Sequence, residues 1–375
     1  MIVDRIDIFK LTIPFEHPLR VPLGVLEGAR NLAVKITTGD GLVGWGEASG
    51  FAPITGDDQD TNAAVAPKLA GVIAGKDALA IDARMAEINA VTTGDPSVRS
   101  AFDMALHDIA AKAAGLPLYR FLGGERRTLR TDLTIGLQQT VADTVAHARK
   151  ILGAGFDAIK LKVGRPGLED VAHVSAVRAL AGDGIAIKID SNQGWDYPSA
   201  VANLNAMAGL DLQYSEQPLA AWDHAGLARL RRAVALPICV DESVFCDKDA
   251  QRLVAADAAD YFNIKLGKAG GIRTGLKINA IAQAVGGKCM IGCFGESRLG
   301  LTAAAHLAMA RPNIVFLDLD SAYHLKGDPV EGGMVYDDKT GGLIHLDDAP
   351  GLGARFKERQ LEPVATVKRP EAQCR

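Results

Sequence analysis

From Lys160 onward, one short apolar run after another ends in a charged residue, at a nearly fixed spacing. The runs are AIKLKV with Lys160 and Lys162, IAIKID with Asp190, LQYSE with Glu216, PICVD with Asp241 and DYFNIK with Lys265. From Lys162 the steps are 28, 26, 25 and 24 residues (190−162, 216−190, 241−216, 265−241). Each step is about the length of one strand, one helix and two loops, so the charges gather at one end of a parallel β/α array. Eight strand candidates follow the pattern, at 131–136, 158–163, 186–190, 212–216, 237–241, 260–265, 288–292 and 314–319. Eight units without an antiparallel hairpin favour a closed (β/α) barrel of TIM type over an open sheet.

The chain before this array follows another rule. Residues 2–13 and 31–38 alternate apolar and polar, and GLVGWGEA (41–48) follows a Gly39-Asp40-Gly41 turn, so an antiparallel meander is expected. In SVRSAFDMALHDIAAKAAG the apolar residues recur at three and four, the spacing of a helix packed on one face. We therefore expect an α+β capping domain over 1–125, a barrel over 126–322 and a C-terminal segment over 323–375 that packs back on the first domain. With 375 residues, the chain is too long for one ordinary core but suits a barrel of roughly 250 residues plus a second domain.

Composition narrows the function classes. Net charge is −4 and no basic run is present, which argues against nucleic acid or an anionic membrane as partner. No apolar segment approaches the roughly 18 residues of a spanning helix, and MIVDRIDIFK has no signal-type stretch, so a soluble cytoplasmic protein is expected. The five cysteines, Cys239, Cys246, Cys289, Cys293 and Cys374, form no C-x-x-C pair and suit a reducing compartment.

Strand side chains alternate faces, so Lys160 and Lys162 point the same way, as do Asp190 and Asn192, and Asp318 and Asp320. Asp190, Glu216 and Asp241 come from adjacent strands, and three carboxylates without soft ligands suit Mg²⁺ better than zinc. A lone acid at a strand end is most simply a surface charge or a helix cap; the periodic set resists that reading because buried charges need partners. Lys162 and Lys265 would face each other across the barrel mouth. Near a metal and other ammonium groups their pKa values should fall toward neutrality, so that one removes a proton from a substrate carbon and the other returns it.

K-x-K at 160–162, DSNQGW at 190–195, SEQP at 215–218, DES at 241–243 and NIKLGKAGG at 263–271 resemble the enolase superfamily, muconate-lactonizing subgroup. The resemblance extends to GWGEA (44–48) and LYRFLGG (118–124). It implies Mg²⁺ held by Asp190, Glu216 and Asp241, with Lys162 and Lys265 as the acid/base pair. It further implies that Lys160 holds the substrate carboxylate, Asn192 supports the metal ligands through hydrogen bonds and Glu296 orients polar groups at the site. A Lys base with Mg²⁺ is a general property of enolase-type sites. Members commonly assemble, so a homo-oligomer is implied.

FLDLDSAY (316–323) resembles the D-x-D of dipeptide epimerases, in which two acids hold the substrate ammonium group. Two adjacent acids repel unless a cation lies between them; the plainer alternative is that Asp318 and Asp320 cap the next segment. PFEHPLR (14–20) and ITGD (54–57) resemble the lid of L-Ala-D/L-Glu epimerases, with Arg20 matching the arginine that grips the glutamate carboxylate. VPLGVLEGARN after Arg20 is longer than usual there. The expectation is a Mg²⁺-dependent isomerase that epimerises a small-molecule dipeptide from peptidoglycan turnover, L-Ala-D/L-Glu above others. Alternatives are another dipeptide, or an N-acylamino acid racemase or cycloisomerase of the same subgroup.

Overall fold

The structure is a computed structural model that describes residues 1–371; Cys374 lies outside the described residues. Alternation makes the first sheet. From Leu11 to Glu16 buried and exposed residues strictly alternate, and the long strand Val3–Val21 pairs antiparallel with Gly24–Thr38, which pairs with Val43–Ala48. A fourth strand, Glu362–Lys368 from the C-terminal segment, completes this sheet on the other side of Val3–Val21. The helix Pro96–Ala113 lies on the sheet, and GWGEA explains how closely. A Cβ at Gly44 would meet Ala105 O at 2.1 Å, and one at Gly46 would meet Ala101 O at 1.9 Å. Only glycine leaves room for the helix backbone there.

His107, inside that helix, is satisfied locally: its Nδ1 contacts Asp103 O at 2.8 Å.

The eight parallel strands are Leu133–Ile135, Ala158–Lys162, Ala186–Asp190, Leu212–Glu216, Ile238–Val240, Tyr261–Ile264, Lys288–Ile291 and Ile314–Leu317, neighbours in sequence order. They are called barrel strands one to eight below. The seam between strands one and eight is not a continuous ladder. It is joined by the Asp132 N to Leu317 O bond (3.4 Å) and by Leu319 N donating to Thr131 Oγ1 (2.8 Å). Helices between the strands begin at side-chain caps: Thr140 accepts from Asp143 N, Asp196 from Ser199 N and Asp223 from Gly226 N.

The barrel interior is layered. At its floor Lys188 Nζ meets Asp132 Oδ2 at 2.6 Å and lies over the rings of Tyr214 and Phe316. Lys160 pairs in register with Lys188, and because alternate residues of a strand face the same side, Lys162, Asp190 and Glu216 follow one step further toward the C-terminal ends of the strands. The capping domain grips the barrel above it. Glu47 accepts from Ser297 N (2.8 Å), Ser297 Oγ (2.7 Å) and Gly300 N (2.9 Å), and Asn31 Nδ2 donates to Gly295 O (2.8 Å). Among the described residues no helix is long and apolar enough to cross a membrane.

Candidate active site

Strand register delivers the charges to one place. Lys162 pairs with Asp190 and Asp190 with Glu216, so the three side chains leave neighbouring strands at one height. Lys162 Nζ donates to Asp190 Oδ2 (2.5 Å) and Asn192 Oδ1 (2.9 Å), and Asn192 Nδ2 donates to Glu242 Oε1 (3.0 Å). Lys265 Nζ lies 2.8 Å from Asp241 Oδ2. The backbone is unusual where the acids emerge: Asn192 (φ 41) and Gln217 (φ 37) are left-handed non-glycine residues, a conformation that surrounding structure must enforce. Gln217 does part of that by accepting from Asp241 N (2.8 Å) and Ser243 N (3.2 Å), which fixes the strand-five loop.

Under the hairpin tip of the capping domain, Lys162, Lys265, Asn192, Asp318 and Asp320 line one cavity. Asp318 accepts from Lys160 Nζ through Oδ2 (2.7 Å), while its buried Oδ1 has no hydrogen-bond partner. Asp320 accepts from Thr134 N through Oδ2 (2.7 Å), and its Oδ1 meets only the Cys293 thiol, at 3.7 Å. Each aspartate thus keeps one oxygen available to a cationic group in the cavity. Burial and these two acids hold the Cys293 thiol well above its usual range, so it stays a protonated, weak donor.

Several expected residues stand elsewhere. Lys160 does not line the cavity: its side chain is 1% exposed and its Nζ is enclosed by Asp190 (3.1 Å), Glu216 (2.8 Å) and Asp318 (2.7 Å), so it balances charge beneath the site. Glu296 is buried away from the cavity wall and accepts from Phe294 N (2.5 Å), steadying the loop after strand seven. Burial and Glu47 push its carboxyl up to about 8, which leaves it protonated near neutrality. Asn192, expected only behind the metal ligands, reaches the cavity itself. Arg20 does not line this cavity. It is exposed and lines a different cleft, with Glu16, His17 and Gln138, because the lid continues as a hairpin in which Leu19 pairs with Leu26 and Arg20 with Val25. Leu19, Val21 and Leu26 face the cavity, and alternation turns Arg20 to the other side.

Electrostatics also departs from expectation. Burial alone would depress the Lys265 pKa, but Asp241 and Glu216 outweigh it and hold the ammonium above its ordinary value. The facing charges are carboxylates, and they favour the charged form. Burial and Asp190 push Glu216 up to about 7, whereas Lys265 and Lys268 overcome burial to hold Asp241 well below the carboxylate range. Burial with Asp241 and Asp190 pushes Glu242 up to about 8.

The buried oxygens test the fit to a metal. Glu216 Oε2 and both oxygens of Asp241 make no hydrogen bond, although ammonium groups lie close. Hard, under-satisfied carboxylate oxygens fit a hard divalent cation. Among the described residues the one acid, thiol or imidazole group whose ligand atoms all lie within 4.8 Å is Cys293, Asp318 and Asp320. Asp190, Glu216 and Asp241 are spread more widely, with Lys160 between the first two, so holding one ion calls for their side chains to rotate onto it.

Three residues were missed in the sequence. Lys268, fully buried, donates to the carbonyls of Asp241 (2.8 Å), Val244 (2.6 Å) and Asn263 (2.8 Å); its signal was its place three residues past Lys265 in NIKLGKAGG. Asn263 Nδ2 donates to Glu216 Oε1 at 2.8 Å and is the inward residue two before Lys265. Glu242 adjoins Asp241, where only the fold shows that it turns toward Asn192.

Fold and site together define a capped (β/α) barrel with paired amines and carboxylates at the C-terminal ends of its strands. The sequence matches the mandelate racemase / muconate lactonizing enzyme N-terminal domain over residues 5–123 and the enolase C-terminal domain-like family over residues 143–360. The chain belongs to this family, within the enolase superfamily. It is 37% identical to a D-Ala-D/L-Ala epimerase of Cytophaga hutchinsonii, over 98% of this chain and 99% of that one. It is 38% identical to an L-Ala-D/L-Glu epimerase of Bacillus subtilis, over 94% and 96%. Among solved structures it resembles the Cytophaga hutchinsonii dipeptide epimerase complexed with Mg and D-Ala-L-Val, with TM-score 0.95 and 36% identity over 98% of this chain and 100% of that one.

Proposed function

We propose that this protein is a Mg²⁺-dependent dipeptide epimerase that moves a proton at the carbon α to the terminal carboxylate. One observation carries the reading: Lys162, Lys265, Asp318 and Asp320 all line a single cavity. Two amines on separate strands give a carbon acid one proton acceptor and one proton donor, which a one-way elimination does not need. Relatives named for dipeptide epimerisation, at 37% and 38% identity over nearly the whole chain, support the same chemistry.

Asp190, Glu216 and Asp241 would hold the metal. When bound, Mg²⁺ supplies positive charge that stabilises the negative charge arising on the substrate carboxylate, and it offsets the acids that hold the Lys265 ammonium above its ordinary value. One lysine takes the α-proton as the electron pair shifts toward the carboxylate, and the other delivers a proton to the opposite face. Asp318 Oδ1 and Asp320 Oδ1 receive the terminal ammonium, a need that an N-acylated substrate lacks. The narrower preference for L-Ala-D/L-Glu is supported by the 38% identity to an L-Ala-D/L-Glu epimerase, whereas Arg20, the residue expected to grip the glutamate carboxylate, lines another cleft.

The experiment is α-hydrogen exchange in D₂O with the Mg²⁺-loaded protein and dipeptides with free or acetylated amino termini. Exchange confined to the free amine is expected. Lys162→Ala and Lys265→Ala should each abolish epimerisation, with a loss of about 10²–10⁴-fold, while each leaves exchange of one stereoisomer. Equal exchange with the amine blocked would show that Asp318 and Asp320 do something else.

A further inference from the structure

The reading above accounts for three of the four substituents of the reacting carbon. The hydrogen faces a lysine, the carboxylate faces the acids of strands three to five, and the amide nitrogen leads to the ammonium between Asp318 and Asp320. The side chain must leave in the remaining direction, toward the lid. That part of the cavity wall is Leu19, Val21, Leu23 and Leu26 from the hairpin, with Ile54 and Phe294 beside them. The four charged residues on the wall are Lys162, Lys265, Asp318 and Asp320, and the reaction already uses each of them.

A carboxylate or ammonium entering the lid subsite would therefore leave water without a counter-charge, which is strongly unfavourable. An aliphatic side chain would bury apolar surface against apolar surface. The hairpin register makes this a property of the sequence. Leu19 and Leu26 are directly paired, so they share one face of the two-stranded lid, and the intervening Arg20–Val25 pair presents its side chains on the other.

We infer that the epimerised residue carries an uncharged aliphatic side chain, selected by Leu19, Val21, Leu23 and Leu26 on the inner face of the lid. This rests on the dipeptide-epimerase reading and names its substrate class more closely.

The test uses the full chain with Mg²⁺ in D₂O and a matched series, L-Ala-L-Leu, L-Ala-L-Val, L-Ala-L-Glu and L-Ala-L-Lys, with α-deuterium followed by mass spectrometry. Leucine and valine are expected to exceed glutamate and lysine by about a hundredfold in kcat/KM, the scale of discrimination set by a mismatched buried group. Glutamate or lysine matching leucine overturns the inference but leaves the dipeptide reading intact. Failure of every dipeptide to exchange overturns both. Leu19→Arg should lower the leucine rate and raise the glutamate rate. Arg20→Ala guards against a lid that merely misfolds: it should leave the leucine-to-glutamate ratio unchanged, and a selective fall in the glutamate rate would show that Arg20 reaches the substrate after all.

Discussion

Replacing Lys160 with methionine should reveal how much of the barrel's stability hangs on one buried ammonium. Lys160 Nζ lies within 3.1 Å of Asp190, Glu216 and Asp318, and the side chain is 1% exposed. Asp190 keeps Lys162 at 2.5 Å and Glu216 keeps the Asn263 amide, so Asp318 loses most. Burial raises the Asp318 pKa, but Lys160 more than compensates and brings it down to about 2. Against an ordinary value of about 3.9, that depression is worth on the order of 3 kcal/mol at neutral pH, in line with the roughly 3–5 kcal/mol lost when a buried pair is broken. The signs differ between the two proteins. In the wild type this stability is fully present above about pH 4 and fades as pH falls through about 2. In the variant the largest lowering influence is gone and only Lys162 and Lys265 still oppose burial, so Asp318 titrates above its unfolded value and stability falls as pH rises through that range. The gap between the proteins should therefore widen from pH 4 toward 7, by at most about 1.4 kcal/mol per pH unit and per proton. Urea unfolding followed by tryptophan fluorescence, in chelator, at pH 4.5, 6 and 7.5 measures it. A gap below about 1 kcal/mol, or one that narrows with rising pH, would refute the assignment of Lys160 as the counter-charge.

Glu242→Leu removes the acceptor that turns the Asn192 oxygen toward Lys162, so exchange of the stereoisomer served by Lys162 should fall about tenfold or more with the other unchanged; Glu242→Gln, which keeps an acceptor oxygen, should restore it. Gly292→Ala places a Cβ 2.9 Å from Asn263 Oδ1 and 3.1 Å from Lys265 Cε, and should cost about a hundredfold in exchange of the Lys265-served stereoisomer, read by the same D₂O assay. Mg²⁺ at about a hundred times its Kd should stabilise the wild type by about 2.7 kcal/mol, seen as a higher Tm, and chelator or Asp241→Asn should remove the increment.

The sequence by itself determined the array and the identity of the charges. Strand alternation and the length of a β/α unit are local rules, so Lys160, Lys162, Asp190, Glu216, Asp241 and Lys265 could be placed at one end of a sheet from spacing alone. Which of them meets the substrate was not local. Lys160 and Lys162 share a face, yet one step of about two residues along the strand puts the first beneath three carboxylates and the second on the cavity wall. The protonation of Lys265 was likewise decided by Asp241, which lies 24 residues away in sequence but 2.8 Å away in space. Arg20 sits in a segment whose motif resembles a substrate grip, and the register of the lid hairpin turned it outward. Pairing register and the approach of side chains from distant strands are long-range outcomes of packing, and only the tertiary structure fixes them.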